Sequence, residues 1–183
     1  EHARKTKAMV VFSSSSSVHD LKSPYAVQKK ICEEYMRFYW KLGVRSIALR
    51  YFNVFGERQE IANEGYSLVL ARFLEQKKND QPFTIVGEGN QRRDFVYVKD
   101  VVSANILAAI FLETADHFET VDIGTGMNYS VNEVTGMMDP QRSHTFLPPR
   151  DEPFENRASL YRSKRLLGWE PRTTLPQWLS QLS

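Results

Sequence analysis

Apolar residues along this chain recur with two periods. Ala8-Met9-Val10-Val11-Phe12 is an unbroken apolar run leading into five serines, Ser13 to Ser17. A short run of that kind predicts a strand buried in a parallel sheet. From Pro24 to Leu42, the residues Val27, Ile31, Tyr35, Phe38 and Leu42 return every three or four positions, which is one face of a helix. Pro24 suits the first turn of that helix and Gly43 its C-terminal end. Val44 to Phe52 is a second apolar run. Strand, helix and strand with no hairpin turn between them predict an α/β fold with a doubly wound sheet.

Beyond Gly56 the chain is polar before a helical pattern returns near Ser67 to Lys77. Phe83 to Val86 predicts a strand closed by the turn Gly87-Glu88-Gly89-Asn90, and Asp94 to Val98 a short extended piece. Asp100 then caps a helix over Val101 to Leu112. Thr120 to Ile123 predicts one more strand. Ser130 stands three residues before Glu133, a capping-box pattern for a helix reaching Met138. Two further helical pieces are expected around Leu160 to Leu167 and Pro176 to Leu182. No internal repeat is present.

Composition narrows the class. The chain has 183 residues, enough for a core that needs no covalent staple. Its formal net charge of +2 is too small, and its basic residues too scattered, to argue for nucleic acid or an anionic membrane as a partner. The single Cys32 excludes an intrachain disulfide framework and fits a reducing cytoplasm. Its neighbours Ile31, Tyr35 and Met36 suggest a buried small hydrophobe. No apolar run is long enough to span a bilayer, and the first residues lack a signal-peptide core. No metal-ligand spacing stands out.

The candidate chemistry begins in Ser23-Pro24-Tyr25-Ala26-Val27-Gln28-Lys29. On a helix, Tyr25 and Lys29 project from one face, one turn apart. A tyrosine ordinarily ionises near pH ~10, and lowering that by two to three units needs roughly 3–4 kcal/mol of preference for the phenolate. A neighbouring ammonium supplies part of it. On its own the pair also suits an ordinary helix.

Six segments in order give the pair a context: the serine run; SPYAVQK; Arg50-Tyr51-Phe52-Asn53-Val54-Phe55-Gly56; Gln91 to Asp100; Asp122-Ile123-Gly124; and Lys164-Arg165-Leu166-Leu167-Gly168-Trp169. Together they resemble the extended short-chain dehydrogenase/reductase family, in particular its nucleotide-sugar epimerases and dehydratases. The resemblance implies NAD as cofactor and a nucleotide sugar as substrate. It makes Tyr25 the catalytic base for a sugar hydroxyl, and Lys29 the residue that lowers the tyrosine's pKa and binds the nicotinamide ribose. Ser15 and Ser17 fall where the family places catalytic hydroxyls, which hydrogen-bond the reacting sugar oxygen. Ser13, Ser14 and Ser16 read as a polar strand end, with Ser13 also a cofactor-binding candidate. Asn53 and Arg93 match positions that hold the substrate diphosphate, work that suits an amide and a guanidinium. Arg150 matches another phosphate-contacting arginine. Asn156 falls where galactose-type epimerases carry a bulky tyrosine, and a smaller residue there suits an N-acetylated sugar.

Within that family, 4,6-dehydratases place an Asp-Glu pair after the second hydroxyl residue, whereas Val18 follows Ser17 here. The resemblance therefore favours 4-epimerisation of a UDP-hexose through a transient keto sugar. A reductase, decarboxylase or dehydratase on the same scaffold is the alternative. So is an inactive binding module, because the chain contains no GxxGxxG or GxGxxG turn to cradle a pyrophosphate. The expected fold is the C-terminal part of a Rossmann-type sheet with a smaller interleaved substrate-binding α/β subdomain. Residues 1–57 and about 94–124 then form the dinucleotide-binding part, and most of 58–183 the substrate-binding part. An orphan half-sheet leaves a long unpaired edge, which favours a piece of a longer protein. The segment Val18 to Ser23 is also shorter than the family's loop. Ten residues still bridge Ser15 to Tyr25, at up to about 3.3 Å each. Family members commonly pair through the helix carrying the tyrosine, so a homodimer is expected.

Overall fold

The computed structural model describes residues 1–59 and 69–182. Its first sheet is the expected parallel one. Strand β1 (Val10–Ser15) pairs with β2 (Ser46–Tyr51), and β2 pairs with β6 (Glu119–Ile123), giving the order β1-β2-β6. Successive side chains on a strand point to opposite faces. On β2, Ile47 and Leu49 enter a core with Ala104 and Ala108 of helix α4 (Val98–Phe111), while Arg50 meets Glu33 of helix α2 (Pro24–Lys41) on the other face. The sheet is therefore covered on both sides, as a parallel sheet requires.

A second set of elements follows. β3 (Asn53–Phe55) lies parallel to β5 (Arg92–Tyr97), and β5 lies antiparallel to β7 (Asn128–Ser130). β4 (Phe83–Val86) pairs in parallel with β8 (His144–Leu147). Helices α3 (Val69–Lys78), α5 (Val131–Met138) and α7 (Leu175–Leu179) close a core around Phe55, Phe73, Phe83, Ile85, Val134 and Trp178. The Ser130–Glu133 capping box is present in full, and α6 (Leu160–Leu167) ends on Gly168 at φ 61, a left-handed value that glycine adopts without strain.

Several expectations change. β1 takes in Ser13, Ser14 and Ser15, so Ser13 and Ser14 form the polar strand end expected, but Ser16 falls instead in a 3-10 turn, Ser16–His19. Asp100 does not cap its own helix, whose N-cap is Tyr97. Its buried carboxylate instead accepts the backbone N–H groups of Arg172 and Thr173, both at 3.0 Å, and so ties the C-terminal segment to α4. The apolar stripe of α2 does not face the sheet. Val27, Ile31, Tyr35, Phe38 and Leu42 are exposed, Cys32 is half-buried rather than buried, and Ala26 and Glu33 occupy the inner face. Helix α3 is described from Val69 onward, and Ser67 and Leu68, where the periodicity starts it, lie outside the described residues. The short helix α1 (His2–Thr6) and strands β3 and β8 had no clear signal. Among the described residues, no helix is long and apolar enough to cross a membrane.

Candidate active site

Strand alternation sorts the serines. Ser14 points inward, almost fully buried, and donates its hydroxyl to Glu33 Oε1 at 2.6 Å. Ser13 and Ser15 point to the other face. Ser13 Oγ lies 3.1 Å from the Tyr51 hydroxyl, which in turn donates to Asn105 Oδ1 at 2.9 Å. Ser15 is the N-cap of the 3-10 turn: its Oγ accepts the Ser17 N–H at 3.2 Å and lies 2.8 Å from Ser17 Oγ. The chain thus places two hydroxyls side by side at the C-terminal end of a parallel strand, where open α/β sheets bind ligands.

Helix α2 starts beside them. Ser23 caps it by accepting the Ala26 N–H at 3.1 Å, and Pro24 occupies the first turn with no N–H left unsatisfied. Tyr25 is 51 % exposed, and its hydroxyl makes no hydrogen bond within the described residues. Lys29 folds back over β1 and donates to the Ser13 carbonyl at 2.8 Å, its Nζ lying 5.6 Å from the Tyr25 ring centroid and 5.1 Å from that of Phe12. An ammonium and a phenol ring therefore share the end of β1 with Ser13 and Ser15.

The substrate-side candidates are organised by Asp94, which sequence reading had not singled out. This fully buried carboxylate accepts four donors: Thr125 N at 2.8 Å, Thr125 Oγ1 at 2.7 Å, Gly126 N at 2.9 Å and Ala158 N at 3.0 Å. The backbone of Asp94 holds two of the candidates. Asn53 Nδ2 donates to its carbonyl at 2.7 Å, and Asn156 Oδ1 accepts its N–H at 2.9 Å. Both amides are thus spent partly on backbone pairing. Gly124 is required in this cluster, because a Cβ there would stand 2.6 Å from Ala158 Cβ and 2.9 Å from Asp94 Oδ2.

Arg93 is largely buried and pairs with Glu152 at 2.6 Å, while its other amino group donates to the carbonyls of Arg92 and Phe154. Arg150 is exposed, without an ion pair among the described residues, and lines a cleft of about 520 Å³, with Gly87, Gln91, Glu152 and Phe154 along the walls. The two arginines thus meet the same 150–154 segment. Lys22, in the short segment before Tyr25, reaches Asp151 across the gap and joins the two halves of the candidate site. His19 Nε2 lies 3.2 Å from Asp122 Oδ1.

A family model described as the NAD dependent epimerase/dehydratase family matches residues 2–124. The chain is 35% identical over 167 residues to a putative UDP-glucose 4-epimerase of Methanocaldococcus jannaschii, covering 87% of this chain and 52% of that protein. It is also 31% identical over 160 residues to UDP-glucuronic acid decarboxylase 1 of Danio rerio, covering 85% of this chain and 36% of that one. Among solved structures, the UDP-N-acetylglucosamine 4-epimerase of Methanobrevibacter ruminantium, in complex with UDP-N-acetylmuramic acid, superposes with a TM-score of 0.85 at 29% identity, over 98% of this chain and 62% of its own. The chain spans about half the length of the first of these relatives.

Proposed function

Because this chain belongs to the NAD dependent epimerase/dehydratase family, we propose that it forms the catalytic and substrate-binding side of an NAD-dependent 4-epimerase acting on a UDP-hexose. One observation carries this reading: Tyr25 and Lys29 stand on one face of α2, with Lys29 anchored at Ser13 beside the Ser15–Ser17 hydroxyl pair.

The residues present fit the nicotinamide end of the cofactor, since Lys29 keeps donors beyond its bond to Ser13 and Tyr25 is open to solvent. The nicotinamide of NAD, held by Lys29 and Tyr25, would supply a reversible hydride acceptor for the sugar carbon. Tyr25 removes the proton from the sugar 4-hydroxyl as the C4 hydride leaves, and gives it back after the ketone has turned over. Ser15 and Ser17 donate to the sugar oxygen while charge develops on it. Lys29 supplies the positive charge that favours the phenolate. Arg93 and Arg150, with Asn53, hold the diphosphate, and Asn156 in place of a bulkier residue leaves room for an N-acetyl group. Val18 after Ser17 puts no carboxylate where a dehydratase has its acid–base pair, which favours epimerisation over water elimination.

Residues 1–57 and 94–124 are assigned to the cofactor side, and the rest mainly to the substrate side. The exposed stripe Val27, Ile31, Tyr35, Phe38 and Leu42 on α2 supports a homodimer packed helix against helix. A lone half-buried cysteine suits the reducing cytoplasm. The test is direct. Full-length protein is incubated with NAD and a panel of UDP-hexoses and their N-acetyl forms, and products are separated by chromatography. A 4-epimer supports the proposal; a pentose, a 4,6-dehydrated sugar or a net-reduced product replaces it with the corresponding sister reaction.

A further inference from the structure

Glu33 is an acid on an amphipathic helix, yet it is 1 % exposed. Its carboxylate is fully engaged: Arg50 Nε donates to Oε1 and an Arg50 terminal nitrogen to Oε2, both at 2.8 Å, Ser14 Oγ adds a bond at 2.6 Å, and Lys30 Nζ stands 3.6 Å away. Burial alone would raise the Glu33 carboxyl, but the Arg50 and Ser14 hydrogen bonds and the charges of Arg50 and Lys30 hold it below its ordinary range. The arginine is raised in turn, chiefly by its bonds to Glu33. Three elements meet at this carboxylate: α2 through Glu33, β1 through Ser14 and β2 through Arg50.

Tyr25, Lys29 and Glu33 are spaced by four residues. Each step rises about 6 Å and drifts about 40° around the axis, so the three share one side of α2 over two turns. Lys29 is fixed to the Ser13 carbonyl and Glu33 to Ser14 and Arg50. A helix held at one level can roll, whereas one held at two successive levels has its rotation and register set. With side-chain tips about 5–6 Å from the axis, a roll of about 10° moves them by about 1 Å, and a misplacement of that size costs about a hundredfold in rate. A buried ion pair adds little net stability over a well-packed apolar replacement, so orientation is the service left for it to perform.

We propose that Glu33 is a positioning residue, whose carboxylate, clamped by Arg50 and Ser14, sets the roll of α2 so that Tyr25 and Lys29 face the end of β1. The proposal rests on the epimerase reading above and deepens it.

The test uses full-length protein with saturating NAD and the UDP-sugar that the parent turns over. Glu33→Gln, the milder Ser14→Ala, and an apolar replacement of the pair, Glu33→Leu with Arg50→Met, are compared with Leu112→Val, a core change on the opposite face of the sheet. Glu33→Gln and the apolar double variant are expected to lose about a hundredfold in kcat with KM within about threefold of the parent, the split that marks lost transition-state alignment. Ser14→Ala is expected to show the same split at about tenfold. Leu112→Val is expected to lower the melting temperature with kcat unchanged. If the apolar double variant folds and keeps kcat within about threefold of the parent, or if Ser14→Ala does so where the others fail to fold, the positioning role is wrong. If kcat falls only in step with thermal stability, as judged against Leu112→Val, the role is wrong too. A parent that turns over no UDP-sugar overturns the epimerase reading itself, and this proposal with it.

Discussion

Lys29 donates its ammonium to the carbonyl of Ser13 at 2.8 Å, so the residue one turn below Tyr25 is fastened to the strand that carries Ser15. This bond sets the distance between the phenol's helix and the hydroxyl pair, and the chemistry proposed for the chain depends on it. Lys29→Met removes both the charge and the anchor. Its kcat is expected to fall more than that of Lys29→Arg, which keeps the charge and a donor but not the geometry. Steady-state kinetics of the two variants make the comparison.

Tyr25→Phe keeps the ring beside Lys29 and deletes only the hydroxyl, which has no hydrogen-bond partner among the described residues. Folding stability is therefore expected to change by less than about 0.5 kcal/mol. Turnover is expected to fall by about 10²–10⁴-fold, the range for losing a general acid–base group. Calorimetric titration with the UDP-sugar is expected to give an affinity close to the parent's. Activity surviving within a few-fold would remove Tyr25 from the mechanism.

Arg93 is held by Glu152 at 2.6 Å, so its charge is partly spent before any diphosphate arrives. Arg93→Ala is expected to weaken UDP-sugar binding by about 1.5–3 kcal/mol, the usual size of a hydrogen bond to a charged group. Glu152→Gln releases the guanidinium, and is expected to tighten binding most clearly at low salt, where charge is least screened. Titrations at two ionic strengths read both outcomes. Unchanged affinity in Arg93→Ala would sink the diphosphate role.

Glu33 gives the fold a pH dependence with a definite sign. Its folded-state pKa lies below the ordinary value of 4.5, against burial and because of Arg50 and Ser14. The stabilisation from that shift is fully present above the unfolded pKa, and is lost as pH falls through the lower folded value. Glu33→Gln breaks one side of a buried pair and is expected to destabilise by about 3 kcal/mol at pH 7. The gap between parent and variant is expected to narrow as pH drops below about 4.5, where the unfolded carboxyl takes up its proton first, and to close once pH has fallen through the lower folded value. Urea denaturation across that range measures it.

Asp94→Asn leaves a buried site with four donors facing an amide that can accept on one atom only. A loss of roughly 3 kcal/mol is expected, together with weaker substrate binding, because Asn53 and Asn156 hang from the same backbone position. Calorimetry and ligand titration check the two effects separately.

What the sequence disclosed follows from where its physics is local. The parallel crossover β1–α2–β2, the capping box at Ser130 and helix α6 are written in periodicity and cap residues, and they stand where the pattern put them. The apolar stripe of α2 shows the limit of that reasoning. Periodicity located a face without saying which face the sheet takes, and the sheet side turned out to be built on a buried ion pair instead. Asp100 was legible as an acid at a helix start, but its partners, Arg172 and Thr173, lie some seventy residues on. Asp94 gave no local signal for the same reason, since its four donors come from segments around 125 and 158. A charged residue inside an otherwise apolar strand, as at Arg50, was the one clue that a buried partner was needed.

The central claim is that a UDP-hexose is epimerised at C4 through a keto sugar formed when Tyr25 takes the 4-hydroxyl proton. The most direct measurement follows a UDP-hexose deuterated at C4 by proton NMR in ordinary water, with full-length protein and NAD. The account predicts the 4-epimer with deuterium still at C4, in the parent, and no product from Tyr25→Phe. Loss of the C4 label to solvent, a product other than the 4-epimer, or an active Tyr25→Phe would contradict it.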